Sequence, residues 1–241
     1  MYKKRFYRTK TYNVDLVTFN VRYFESNLQV YAQTDLREIA LEYLRNIHTQ
    51  VSVYCKNHPE FEKSLSPVKI KRKAPEIIKR MHKAAKQADV GPMATVAGAI
   101  AQAVGEKLLI HSREVIIENG GDIFIAVTKP RIIGIFAGIG NVYNQLVINI
   151  EPEQTPCGIC TSSGKFGHSL SLGQSCATII ISKSSTLADG YATHFGNIVN
   201  TPLDIDFALK SARRKKDIKG IIIITNTKMA AYGNFTFDIH F

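Results

Sequence analysis

Asp189 and Thr193 stand four residues apart in Ala188-Asp-Gly-Tyr-Ala-Thr, a spacing that puts a carboxylate and a hydroxyl on one face of a helix. Two hard oxygen donors suit Mg²⁺, which commonly binds through one or two carboxylates together with substrate phosphates. Helix capping by Asp189 over a buried Thr193 accounts for the same pattern. Glu118-Asn-Gly-Gly-Asp122 lies between two Ile-rich runs. Gly120 and Gly121 permit positive φ and close ligand approach, while Asp122 could accept from a ribose or adenine donor or face a cation. The same residues also suit a two-residue hairpin turn.

Residues 157–168 read Cys-Gly-Ile-Cys-Thr-Ser-Ser-Gly-Lys-Phe-Gly-His, the densest polar stretch in the apolar half of the chain. They miss the P-loop pattern: five residues separate Gly158 from Gly164-Lys165, and Phe166 stands where a hydroxyl would bind Mg²⁺. Backbone amides of Thr161, Ser162, Ser163 and Gly164 can still form an anion-binding nest beside Lys165, or the stretch is an exposed Ser/Thr loop. Cys157-x-x-Cys160 has the spacing of a redox pair or half a metal site, but neither a second such pair nor a helical period follows. Cys176 leads into a strand-like run. The cysteines read as structural, or Cys160 as a nucleophile with His168 as its base.

These groups need a scaffold, and the sequence supplies one. With 241 residues, 45% of them hydrophobic and 21% charged, the chain can bury a core without disulfides; disordered and fibrous classes are excluded. Residues 5–32 alternate loosely and could turn as a hairpin around Glu25, Ser26 and Asn27. A helical period follows through Leu36, Ile39, Ala40, Leu44 and Ile47, with Asp35 as N-cap and Glu38 at the capping-box offset, ending near Asn57. Further helices are predicted from Pro75 to about Ala88, after Gly91-Pro92, and over about 186–197 and 203–215. Ala94, Ala97, Gly98 and Ala101 would let a backbone or ligand approach the helix after Gly91-Pro92 closely. Ile/Val-rich runs of strand length occupy 115–118, 123–127, 132–136, 146–150, 177–181 and 220–225. The expected fold is α+β, one domain over 1–241, with a hairpin and helices in 1–110 and a sheet bearing the loop motifs in 111–241.

The net charge of +11 is local. Segments 1–10, 69–86 and 210–219 carry +5, +7 and +5, leaving the rest of the chain at −6. Such segments attract phosphate-bearing ligands or an acidic protein partner, or form solvated faces. Neither 69–86 nor 210–219 contains an aromatic residue, which argues against nucleic acid. Neither a secretory pattern nor a membrane-spanning run stands out, so a cytoplasmic protein is expected, with a homo-oligomer left open.

In order, Gly91-Pro-Met-Ala-Thr-Val-Ala-Gly, Glu118-Asn-Gly-Gly-Asp-Ile, Cys160-Thr-Ser-Ser-Gly with Gly167-His-Ser-Leu-Ser-Leu-Gly, and Ala188-Asp-Gly-Tyr-Ala-Thr resemble the uncharacterised ApbE-like family of mostly anaerobic prokaryotes. The resemblance implies an ApbE-like, T-fold-related mixed sheet with packed helices, akin to the FAD:protein FMN transferases. It implies cofactor contacts at Gly120, Gly121, Asp122 and Thr161–Lys165, Mg²⁺ on Asp189 and Thr193, and catalytic roles for Asp189, His168 and Cys160. FAD or a related nucleotide would be the ligand, and flavin or nucleotidyl transfer to a protein the reaction. After the His, the transferases continue Ile-Asp-Pro-x-Thr-Gly, where this chain has Ser169-Leu-Ser-Leu-Gly. The family is also associated with sulfide assimilation toward homocysteine, which implies an alternative: an accessory protein handling sulfur species on Cys160 without flavin transfer.

Overall fold

The computed structural model describes residues 15–135, 146–163 and 175–239. The N-terminal alternation becomes a hairpin of β1 (Val17–Tyr23) and β2 (Ser26–Ala32), in which Tyr23 pairs with Ser26. Its turn is therefore Phe24-Glu25, earlier than the polar run suggested, because Ser26 and Asn27 are taken up by the strand. Helix α1 (Arg37–Asn57) ends as predicted but begins differently: Leu36 occupies the N-cap, and Asp35 Oδ1 instead accepts from Arg37 N–H at 3.0 Å. A short α2 (Pro59–Lys63) leads to α3 (Glu76–Ala88), and a 3-10 turn at Pro92–Thr95 runs into α4 (Val96–Leu108).

The Ile-rich half builds β3 (Val115–Asn119), β4 (Asp122–Ala126), β5 (Arg131–Gly134), β6 (Leu146–Ile150), β7 (Cys157–Ser162) and β8 (Ala177–Ser182). Helices α5 (Ser185–Ile198) and α6 (Asp204–Arg213) follow, then β9 (Ile218–Ile224), β10 (Met229–Gly233) and β11 (Thr236–Ile239). An eight-stranded sheet runs β1-β2-β3-β4-β7-β8-β9-β10, and a three-stranded sheet runs β11-β6-β5. The α+β class and the packed helices agree with the sequence expectation. Every pairing between described strands is antiparallel, so the mixture lies in the layers rather than in strand direction.

Strand alternation divides the large sheet into two faces. Ile123, Ile125, Ile159, Ile179, Ile181, Ile222 and Ile224 share a core with Ile133, Leu146, Ile148 and Ile150 of the small sheet. The opposite face packs on helices: Ile180, Ile221 and Ile223 against α5 and α6, and Val115, Ile117 and Phe124 against α4 and α1. Burial on both faces explains why these strands read as continuous Ile/Val runs. Among the described residues, no helix is long and apolar enough to cross a membrane.

Three strands were not foreseen: β10, β11 and, in the interior of the large sheet, β7. Residues 157–162, read above as the start of a polar loop, form β7 in the interior of the sheet, pairing with both β4 and β8. Its Gly, Cys, Thr and Ser residues lack the bulk of a typical central strand because α5 crosses it closely. A Cβ on Gly158 would lie 2.3 Å from Ser185 Cα, within the van der Waals radius of that backbone.

Candidate functional site

Four elements converge where β4 and β7 meet α4 and α5. Asn119 pairs with Asp122 across the Gly120-Gly121 turn, whose φ values of 72° and 103° account for both glycines. The hairpin expected there is real, and it also fixes Asp122 at the first position of β4, directly opposite Cys160 of β7. Glu118 Oε1 accepts from Gly121 N–H at 2.7 Å and holds the turn. Asp122 and Cys160 face the helices.

From the helix side comes Asp189. It does not open α5: that helix begins at Ser185, and Ser184 Oγ caps it by accepting from Leu187 N–H at 3.3 Å. Asp189 sits one turn further in, buried, and its Oδ2 accepts from Gly98 N–H at 2.9 Å. Gly98 belongs to the first turn of α4, where amides have no helical acceptor, so that turn presents donors and a partial positive charge to the carboxylate. Glycine is required there: a Cβ at position 98 would lie 2.3 Å from Ser185 O and 2.8 Å from Asp189 Cβ. The small-residue stretch flagged in the sequence is thus the contact that seats α4 on α5. Gln102 locks the contact from one turn along, its Oε1 accepting from Ser184 Oγ, Thr186 Oγ1 and Thr186 N–H at 2.9, 3.1 and 3.2 Å. Thr193, also buried, lies one turn beyond Asp189 on the same face of α5.

Electrostatics single out the carboxyl pair. Burial raises Asp122 well above the usual carboxylate range, and the charge of Asp189 raises it further. Burial likewise pushes Asp189 up to about 7, against the lowering effect of the Gly98 and Ala97 amides. Asp122 Oδ1 is buried and, among the described residues, has no hydrogen-bond partner. Two acids facing each other, one with an unused lone pair, form a place where a hard cation relieves both repulsion and desolvation. Asp122, Asp189 and the Thr193 hydroxyl therefore fit Mg²⁺ in donor chemistry. No group of three or more His, Cys, Asp or Glu able to hold a metal occurs among the described residues, which leaves the rest of an octahedral shell to water and ligand phosphates.

Cys160 is wholly buried, its thiol donating to Ser185 O at 3.3 Å. Burial and then the charges of Asp122 and Asp189 raise it well above the ordinary thiol value, the reverse of what a thiolate nucleophile needs. Burial alone pushes Cys157 up to about 12. These two residues face opposite sides of β7 and join different cores, so they form no redox pair in this arrangement. Thr161 and Ser162 lie in the β7 ladder, and Ser163 follows it. Gly164, Lys165 and His168 lie outside the described residues. Sequence reasoning missed the Gly98 amide and the Gln102 hub; one is a backbone donor and the other a side chain whose partners lie more than 80 positions away, and no motif announces either.

The family model described as AbpE bacteria matches residues 9–228. The chain belongs to that family. Its relatives include a UPF0280 protein of Methanobrevibacter smithii, 37% identical over 207 residues that cover 83% of this chain and 87% of that protein. Another, from Methanocella arvoryzae, is 32% identical over 210 residues, 87% of this chain and 85% of its own. The fold is similar to that of the Pseudomonas stutzeri flavinyl transferase ApbE in its apo form, with a TM-score of 0.60 and 12% identity over 90% of this chain and 94% of that one. The flavin transferase ApbE of Vibrio cholerae aligns with a TM-score of 0.57 at 12% identity, over 90% and 96%. This chain thus shares its arrangement of sheet and helices with flavin transferases.

Proposed function

We propose that the Gly120-Gly121 turn, Asp122 and Asp189 bind the diphosphate of a flavin nucleotide, FAD in the first instance, together with Mg²⁺, and that the chain acts as a flavin transferase. The observation that carries this reading is the buried Asp122/Asp189 pair with its unpartnered oxygen, in a fold similar to that of flavin transferases. Asp189 and Thr193 would hold the cation, with Asp122 beside them. When bound, Mg²⁺ would neutralise the diphosphate and ease cleavage of its anhydride bond.

The chain's own residues have definable tasks in this reading. The first-turn amides of α4 orient Asp189, with Gly98 N–H donating to its Oδ2. The Gly-Gly turn allows a phosphate or ribose to approach the backbone closely. Asp122 can accept from a ligand hydroxyl or take up a proton, because burial and then the charge of Asp189 raise its carboxyl above the usual range. The exposed basic residues of 69–86 and 210–219 offer an acidic acceptor protein its docking charges.

The test is FAD titration of the purified protein by calorimetry, with Mg²⁺ and with chelator. Binding is expected to need Mg²⁺ and to be lost in Asp189→Ala. Equal affinity in the variant, or no FAD binding under either condition, overturns the assignment. FMN transfer to a Ser/Thr-containing acceptor is the assay that follows a positive result.

A further inference from the structure

The two edges of the large sheet are not alike. β1 carries Thr18, Asn20 and Arg22, the polar side chains with which edge strands usually discourage pairing. β10 reads Met-Ala-Ala-Tyr-Gly, with neither charge nor proline. Its inner side is committed to β9: Lys228 O accepts from Thr225 N–H at 2.8 Å, and Asn234 N–H donates to Lys219 O at 3.2 Å. In an antiparallel ladder these bonds recur at every second residue, so the even-numbered positions face β9. The N–H and C=O groups of Met229 and Ala231 therefore point outward, and among the described residues no strand pairs with that edge.

Helix α6 lies over β9 and β10. Its orientation is fixed by two contacts: Asp206 Oδ1 is 3.5 Å from Lys228 Nζ, and the Arg213 guanidinium sits 4.5 Å from the Tyr232 ring centroid. The helix thus runs alongside β10 in the same direction, with an acid over the start of the strand, a base over its end, and both on the flank above the open edge.

We infer that β10 pairs antiparallel with the β10 of a second copy of this chain about a two-fold axis at Ala231, joining the two large sheets into one. The geometry is self-consistent in three respects. Met229 and Ala231 supply outward backbone groups in the register that a two-fold at Ala231 requires. Strands lie about 4.8 Å apart, so the two α6 helices, each over β9 and β10, come to about 10 Å, a normal packing distance. The axis also reverses one α6 against the other, setting Asp206 of each copy beside the second copy's Arg213. A polar β1 edge and a bare β10 edge are what a protein that uses only the latter would carry.

The experiment is sedimentation velocity on the full chain at tens of micromolar, in moderate salt, with circular dichroism to check folding. The unaltered chain is expected to sediment as a dimer, and a monomer overturns the proposal. Ala231→Pro removes an outward N–H without touching the β9 ladder and is expected to give a folded monomer. A dimer persisting in that folded variant also overturns it. Should Ala231→Pro fail to fold, a charge test decides. Asp206→Arg and Arg213→Glu alone each raise the dimer dissociation constant by about tenfold, whereas their mixture restores dimers because each copy then meets a complementary one. A mixture that stays as monomeric as its components rules out this interface.

Discussion

The β3–β4 hairpin carries buried carboxyls at both ends, and the two ends are treated oppositely. At the open end, just before β3, Glu114 receives Arg131 Nε at 2.9 Å, Arg131 Nη2 at 2.5 Å and Thr128 Oγ1 at 2.8 Å. Arg131 also pairs with Asp15, whose carboxyl its hydrogen bond brings down to about 2. At the turn end, Asp122 and Asp189 face each other with no cationic side chain paired to either among the described residues, and both are raised. A protein that needs a carboxylate for structure supplies its counterion. The second pair is left without one, which is what the proposed cation site calls for.

Removing the resident cation should have the largest effect. Arg131→Met leaves Glu114 buried without its partner and is expected to cost about 3–5 kcal/mol in urea unfolding. A loss below 1 kcal/mol would mean that Glu114 relaxes to water and that the contrast between the ends is false. Next comes Gly98→Ala, which drives a methyl into Ser185 O and Asp189 Cβ and so pries α4 from α5. Overpacking of this kind costs about 1–3 kcal/mol, and FAD binding should weaken with it.

Much of this was legible in the sequence, and the failures share a cause. The Ile/Val runs gave β3, β4, β6, β8 and β9 within a residue or two because both faces of those strands are buried, so hydrophobicity alone marks them. The hairpin turn, one of two readings of Gly120-Gly121, is present because glycine readily takes two successive positive φ values. β7 was missed because its composition answers to a neighbour: Gly158 exists for Ser185, and Cys160 fills the space beneath α5. Asp35 and Asp189 looked like caps because capping residues and site residues are the same few polar types; which role applies depends on where the helix starts, and that is settled by packing. The meeting of Asp122 with Asp189 spans 67 positions and arises only from topology.

Asp189→Asn sharpens the comparison from the other end. The amide keeps an acceptor for Gly98 N–H while deleting the charge, so the ligand-free protein at pH 8 should gain about 1–2 kcal/mol in thermal or urea unfolding. The same substitution at a structural carboxylate destabilises. A gain in stability joined to a loss of Mg²⁺ response marks a site held ready at an energetic cost. Destabilisation at pH 8 would instead assign Asp189 to the architecture, alongside Glu114.

The last expectation is the pH dependence of the unaltered chain without ligand. Asp189 titrates near 4 when unfolded and at about 7 when folded, so between those values the folded state holds more protons. Stability contributed by this group is therefore intact below about pH 4 and falls as pH rises toward 7, opposite in sign to an ion-paired acid such as Asp15. Saturating Mg²⁺ with nucleotide should cancel the decline, because the ligand binds the ionised carboxyls and displaces their protons. Unfolding midpoints measured from pH 4.5 to 8, with and without ligand, would display the difference. In Asp189→Asn the slope should flatten to the residue left by Asp122, and an unchanged slope would place the titrating group elsewhere.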